Sequence, residues 1–256
     1  MVFDTITFSE KDGIATLMLN RPQVMNALST QMRAEITQAL NGIATDTRCV
    51  VMTGAGAAFC SGQDLGDPSA AADIEATLRR EYEPMLRAVT HCRAPVIAAV
   101  NGVAAGAGAN LALAADVVMA IDSTYFVQAF TKIGLIPDAG GTWIVPRLIG
   151  NARAMGAMLF ADKIPARQAA DWGLIWEALP EDEFVETVQA RARQLADGPT
   201  SAYLAVRQAV RESGANDFAT QLELEAKLQG EAGRSDDFRE GVQAFLQKRK
   251  PRFTGR

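Results

Sequence analysis

Apolar and polar residues alternate through "TITFSEKDGIATLMLN" (residues 5–20) on either side of Asp12-Gly13. A period of two broken by Asp-Gly predicts a β-hairpin. The period then lengthens. After the loop "RPQVMNALS", Met32, Ile36, Leu40 and Ile43 recur at helical spacing behind Ser29, a good N-cap. Three short apolar runs follow, "RCVVMTG", "APVIAAV" and "VVMAI". Their length and β-branched content predict buried strands. Between them lie the glycine-rich turns "AGAAFCSGQDLGD" and "NGVAAGAG", a mostly polar helix from about Ala70 to His91, and the helix "ANLALAAD".

Beyond "GLIPDAGGTW" (Gly134–Trp143) the pattern is helical near Thr142–Ile149 and Asn151–Ala161, and a short strand is expected around Leu174–Ala178. From Glu181 onward it is helical almost throughout. Pro199 and the Gly230–Gly233 region divide this part into about three helices, and Ser235-Asp236-Asp237 opens the last. Alternating strands and helices followed by helices alone predict an α/β fold, with a core over residues 1–198 and a C-terminal helical region over 199–256.

Composition narrows the function. Hydrophobic residues make up 48% of the chain and charged residues 21%, the balance of an ordinary globular protein. A net charge of −5 without a long basic run gives no nucleic-acid footprint. Cys49, Cys60 and Cys92 are odd in number and lack metal-ligand spacing, and His91 is the single histidine. No metal site is expected, and a reduced, cytoplasmic setting is. The N-terminus is charged and alternating, unlike a secretory leader. Ala94–Ala115 carries no charge, yet Pro95, Asn101, Asn110 and three glycines interrupt it before Asp116. It reads as a buried strand, a glycine loop and a buried helix, with no membrane span.

The two glycine turns share one design, in which an apolar strand runs into glycines and then a helix. Ser61-Gly62-Gln63 forms the first turn and Gly106-Ala107-Gly108 the second. Two helix N-termini with free amides could together hold an anionic oxygen. Close strand–helix packing explains the same glycines equally well. Neither turn completes a dinucleotide fingerprint, and there is no P-loop. Asp138, in "IPDAGG", is open to two readings as well: a turn or capping aspartate, or a lone acid in a site.

The ordered set "RPQVMNALS", "AFCSGQDL", "APVIAAVNGVAAGAGANLALAADVVMA", "IGLIPDAGGTW" and "FLQKRKPRFTG" resembles the crotonase, or enoyl-CoA hydratase/isomerase, superfamily over essentially the whole chain. The resemblance implies a spiral of ββα units with a C-terminal α-helical trimerisation region, hence a homotrimer or a hexamer built as a dimer of trimers. It implies an acyl-CoA substrate, with coenzyme A as part of the thioester and no separate cofactor. The backbone amides of Gln63 and Ala107 would form the oxyanion hole. Val24 and Ala27 fall in the loop that runs along the CoA moiety. Ser61, Gly62, Asp64, Leu65, Gly106, Gly108, Asn110, Phe130, Pro137 and Trp143 fall around the acyl group, and core packing explains Phe130 and Trp143 equally well. Asp64 reads as a loop-fixing acid.

In hydratases of this family two glutamates activate water and deliver a proton; here those positions are Asn110 and Phe130. The third family position for an acid is Asp138. The motifs are most similar to members that isomerise a ring epoxide of phenylacetyl-CoA or shift a double bond, for which one base near an enolate suffices. An unusual hydratase, or an acyl-CoA-binding protein without activity, are the alternatives. His91 reads as a surface residue, Cys60 as packing, and Asp122 and Asp162 as loop acids. Arg21 and the tail residues Lys248, Arg249, Lys250 and Arg252 could meet CoA phosphates, or the tail could simply be solvated.

Overall fold

Strands β1 (Ile6–Lys11) and β2 (Ile14–Leu19) pair antiparallel, with Asp12 and Gly13 both at positive φ between them. That is the turn Asp-Gly favours, and it agrees with the predicted hairpin. The structure is a computed structural model that describes residues 2–67 and 73–256. Parallel pairing carries the sheet on through β3 (Cys49–Gly54), β5 (Val96–Val100), β7 (Val117–Ile121) and β10 (Glu177–Leu179), in the order β1-β2-β3-β5-β7-β10.

Side chains of β3 and β5 alternate between two cores. Val50, Met52, Val96, Ala98 and Val100 face the larger one; Cys49, Val51, Ile97 and Ala99 face the smaller. Burial on both faces is why these strands read as unbroken apolar runs. Helix α1 (Thr30–Asn41), capped by Ser29, closes the larger core with Met32, Ile36 and Leu40. The predicted stripe is therefore the buried one.

A second sheet holds the short strands β4 (Ala58–Cys60), β6 (Val103–Ala105), β8 (Tyr125–Val127) and β9 (Ile164–Pro165), in that order. Each of β3, β5 and β7 runs straight into β4, β6 or β8, and the chain then turns helical, so one strand–strand–helix unit repeats as it winds. The sequence reading put β4 and β6 inside glycine turns. Two- or three-residue strands carry no measurable period, and their glycine borders look like turns.

The polar helix comprises α2 (Ile74–Thr77), a π-helical turn at Leu78–Tyr82, and α3 (Glu83–Thr90); the part expected from Ala70 lies outside the described residues. The uncharged stretch becomes β5, β6 and α4 (Ala107–Leu113). Among the described residues no helix is long and apolar enough to cross a membrane. The two helical stretches after Asp138 form α5 (Gly141–Phe160), broken by non-helical backbone at Gly150. Helix α6 (Ala166–Asp171) precedes β10, which lies a little later than the strand expected at Leu174–Ala178.

Helix α7 (Glu181–Asp197) covers the smaller core with Phe184, Val188, Ala192 and Ala196. Next come α8 (Thr200–Ser213), α9 (Phe218–Ala232) and α10 (Asp236–Leu246). The described C-terminal helices from Glu181 thus number four where about three were expected. The missed break is at Gly214–Asp217, where Asp217 accepts a hydrogen bond from the Thr220 N–H and caps α9. The boundary expected at 198/199 falls between α7, which covers the sheet, and α8.

One carboxylate fastens α8 to the core. Asp116, just before β7, accepts from Arg207 Nε at 2.8 Å, from Arg211 at 3.1 Å and from the Val96 N–H at 2.8 Å. Arg207 also donates to the carbonyls of Cys92 and Ala94. The Arg207 and Asp116 side chains are only 11% and 17% exposed. Removing one partner of so enclosed a pair strands the other charge. Arg207→Met is expected to destabilise the fold by about 3 kcal/mol, and adding Asp116→Asn to recover part of the loss. Urea unfolding at fixed protein concentration checks both.

Candidate active site

The site begins in the loop after β2. Asn26 is fully buried at positive φ; its amide donates to the carbonyls of Ala55 at 2.9 Å and Ala58 at 2.8 Å, and its Oδ1 accepts from the Arg21 N–H at 2.9 Å. Held in this way, the loop backs the first glycine turn. Leu28 N–H donates to Gly62 O at 2.8 Å, Asp64 N–H to Leu28 O at 3.2 Å and Ser61 N–H to Met25 O at 3.0 Å. Asp64 pairs with Arg21 at 2.7 Å and accepts from the Gly66 N–H at 3.0 Å. Its geometry is that of a loop-fixing acid, and the Arg21 guanidinium is spent on it.

The two glycine turns meet. Gly62 lies at φ +98°, and a Cβ there would stand 2.8 Å from Ala105 O and 3.4 Å from Ala107 N. At Gly108 a Cβ would stand 2.4 Å from Cys60 O. Neither approach tolerates a side chain. Close packing therefore accounts for both glycines, and of the two expected helix N-termini the described residues show one: the second turn opens α4 at Ala107, whereas the chain after Gln63 stays non-helical through Asp67. Among the described residues neither the Gln63 nor the Ala107 N–H donates to another protein group.

A cavity of about 210 Å³ opens beside these turns. Of the residues singled out from sequence, Ser61, Gly62, Gln63, Asp64, Leu65, Gly106, Ala107, Phe130 and Asp138 line it. Val24 and Ala27 lie instead in the backing loop, where Val24 O accepts from Ser61 Oγ and Ala27 O from Arg21. Gly108 is packed on Cys60, and Pro137 is buried next to Asp138. Trp143 is half exposed and stacks on the Arg147 guanidinium at 4.1 Å, outside the cavity wall.

Asn110 is completely buried behind the wall. Its Nδ2 donates to Asp138 O at 2.8 Å, and its Oδ1 accepts from Gln128 Nε2 at 2.8 Å. The Gly141 N–H donates to the same carbonyl at 2.9 Å. Two donors thus fix the Asp138 backbone at the head of α5 and leave its side chain to the cavity. Asp138 Oδ1 is buried and has no hydrogen-bond partner among the described residues. Burial pushes the acid up to about 6, against the pull of the Arg33 charge. A carboxylate so placed can take up a proton and give it back near neutrality.

The sequence reading missed other parts of the wall. Ile74, Thr77, Leu78 and Tyr82 line it from the helical segment ahead of α3, and Ala129, Ile133 and Leu135 from the single-turn helix and loop after β8. Leu78 and Tyr82 open and close the π-helical turn, a feature often found at functional sites. No sequence signal distinguishes that turn from ordinary helix.

The remaining candidates stand apart. His91 is exposed at the end of α3. Cys60 is fully buried with Sγ 3.1 Å from Asn26 O, and burial pushes its thiol up to about 12, so it is not a nucleophile. Asp122 pairs with Arg167. The basic tail is folded back on α10: Arg249 pairs with Glu240, and buried Asp237 accepts from the N–H groups of Thr254 and Gly255. Among the described residues no three His, Cys, Asp or Glu side chains gather as a metal set.

Comparison with known proteins agrees with this geometry. Residues 9–256 match the enoyl-CoA hydratase/isomerase family. A Rhodobacter capsulatus protein named "Probable enoyl-CoA hydratase" is 58% identical over the full length of both chains. The 1,2-epoxyphenylacetyl-CoA isomerase of Escherichia coli is 47% identical over 95% of this chain and 96% of its own. The crystal structure of an enoyl-CoA hydratase from Bacillus anthracis superposes with a TM-score of 0.91 at 32% identity, covering 99% of this chain and all of that one. The strand–strand–helix spiral with C-terminal helices is the crotonase fold, and the chain belongs to the enoyl-CoA hydratase/isomerase family.

Proposed function

We propose that the protein is an acyl-CoA isomerase that moves a proton between carbons of a thioester, acting on a ring-epoxide phenylacetyl-CoA or on a misplaced double bond. The observation that carries this reading is the single unpaired carboxylate of the cavity. Asp64 and Asp138 are the carboxylates of the described wall, and Arg21 already holds Asp64. Asp138 would take a proton from a carbon activated by the thioester, with the electron pair moving onto the carbonyl oxygen. The Gln63 and Ala107 amides would hold that oxygen as it gains charge. The same proton then returns at another carbon, and the base is regenerated. Coenzyme A arrives with the substrate, and the step needs no further cofactor.

Hydration is the second reading, favoured by the name of the Rhodobacter relative. It asks for two acids to handle water, and the positions that carry them in family hydratases are here Asn110, turned to a backbone carbonyl, and Phe130. The 47% similarity to the epoxide isomerase supports isomerisation. The C-terminal helices leave Val206, Val210, Phe218, Leu222, Phe245 and Leu246 exposed. Exposed apolar residues on these helices support a homotrimer or a hexamer.

Asp138→Asn keeps the shape and removes the base. Isomerisation of a ring-epoxide or 3-enoyl thioester is expected to fall about 10²–10⁴-fold in single turnover, with product-CoA affinity little changed. The same change should stabilise the fold, with a definite pH dependence. The folded acid, near 6, lies above its ordinary 3.8, so its ionisation penalises the folded state increasingly between those values and fully above 6. The variant should gain about 2 kcal/mol at pH 7.5, after allowance for partial exposure, and almost nothing at pH 4. A variant with wild-type turnover leaves Asp138 a turn residue.

Two further outcomes follow from the same reading. Crotonyl-CoA hydration, followed by loss of enoyl absorbance, should be far slower than in a two-glutamate relative; brisk turnover favours the hydratase. Light scattering at micromolar concentration should give the mass of three or six chains, and a monomer refutes the assembly.

A further inference from the structure

Behind the cavity wall lies a cation whose pull on Asp138 leaves most of its contacts unexplained. Arg33, on α1, is 0% exposed. Its Nη1 donates to Leu28 O at 2.5 Å and to Gln63 Oε1 at 3.0 Å, and lies 3.4 Å from the Tyr82 hydroxyl. Its Nε and Nη2 hold Glu81 Oε2 at 3.0 and 2.6 Å, and Nη2 also reaches Thr30 Oγ1. The guanidinium carbon stands 4.6 Å over the Tyr82 ring. Tyr82 in turn donates to Gln63 Oε1, and burial pushes its phenol well up, so it remains a donor.

These contacts converge on the first glycine turn. Leu28 O also accepts from Asp64 N–H, and Leu28 N–H donates to Gly62 O, so the peptide on each side of Gln63 is tied to the loop that Arg33 grips. The Gln63 side chain is held by the same guanidinium and by Tyr82. With the main chain on both sides fixed and the side chain anchored, the free N–H of Gln63 has one direction.

We propose that Arg33 is a positioning residue for the thioester oxygen, acting through Gln63 and Tyr82 to hold the Gln63 amide toward the cavity. This rests on the oxyanion reading above. A merely structural Arg33, gluing α1 to the π-helical turn, would change stability and leave carbonyl polarisation alone.

The test uses the full-length protein and a push–pull cinnamoyl thioester of CoA, whose absorbance moves to the red as its carbonyl is polarised. Wild-type protein should produce the shift. Arg33→Met should lose at least half of it, and should lower the kcat of isomerisation about 10–100-fold with KM changed less than about threefold. Arg33→Lys should recover little, because one ammonium cannot serve this set of acceptors. Gln63→Met keeps the backbone N–H and the Arg33–Glu81 pair, and should show a smaller loss of the same kind; it carries the test if the Arg33 variants do not fold. A full shift in the folded variants overturns the proposal whatever the kcat, because loss of the Arg33 charge also acts on Asp138. A wild-type protein that neither shifts the chromophore nor isomerises a thioester overturns the functional reading itself, and this proposal with it.

Discussion

The site depends on one backbone contact, the approach of the turn after β4 to the turn after β6. At Gly62 a methyl group would press within 2.8 Å of Ala105 O, so any side chain there forces the two turns apart. The separation of the Gln63 and Ala107 amides is set by this contact. The parallel pairing of β4 with β6 brings the turns side by side, and Asn26 and Leu28 hold the first turn from behind. A donor pair built from main chain is rigid by construction, and rigidity is what gives such donors their value where charge develops.

Around that contact the protein balances two buried charges. Arg33 is fully enclosed, and its compensation comes from Glu81, two carbonyl-type acceptors and a hydroxyl. Asp138 is partly buried, with its buried Oδ1 unpartnered among the described residues. Burial raises the acid, and the Arg33 cation keeps the rise moderate. Without the cation the acid would sit higher still, and a direct ion pair would pull it down and weaken it as a base toward carbon. Placing the cation behind Gln63 gives an intermediate outcome.

Much of the fold was legible because its causes are local. The hairpin follows from Asp12-Gly13, α1 from Ser29 and its stripe, and the central strands from runs that are apolar because both faces are covered. The second sheet was not legible, since β4, β6 and β9 are too short to show a period. In the site, the residues alone drew attention to the two glycine turns and to an isolated carboxylate, and left each open to a packing or turn role; the roles expected of Gln63, Ala107 and Asp138 came from the family resemblance. Arg33 and Tyr82 could not: the arginine adjoins Met32 in a helix with polar residues on both sides, and only tertiary packing buries it. Trp143 shows the opposite failure. An aromatic near the acid suggested a pocket wall or core packing, but α5 leaves it half exposed and stacked on Arg147.

Asn110 links the fold to the chemistry. Its amide must donate, because its partner is the Asp138 carbonyl, and its own carbonyl accepts from Gln128. A glutamate in its place offers acceptors only. It would set a buried carboxylate against a carbonyl oxygen, with Gln128 its one donor among the partners Asn110 now has, and leave the Asp138 carbonyl to the Gly141 N–H alone. On the isomerase reading, the residue that separates this chain from a two-glutamate hydratase is therefore also the anchor of the acid that remains. Acid placement and backbone anchoring are coupled here, so exchanging one catalytic arrangement for the other means rebuilding the Asp138 turn along with position 110.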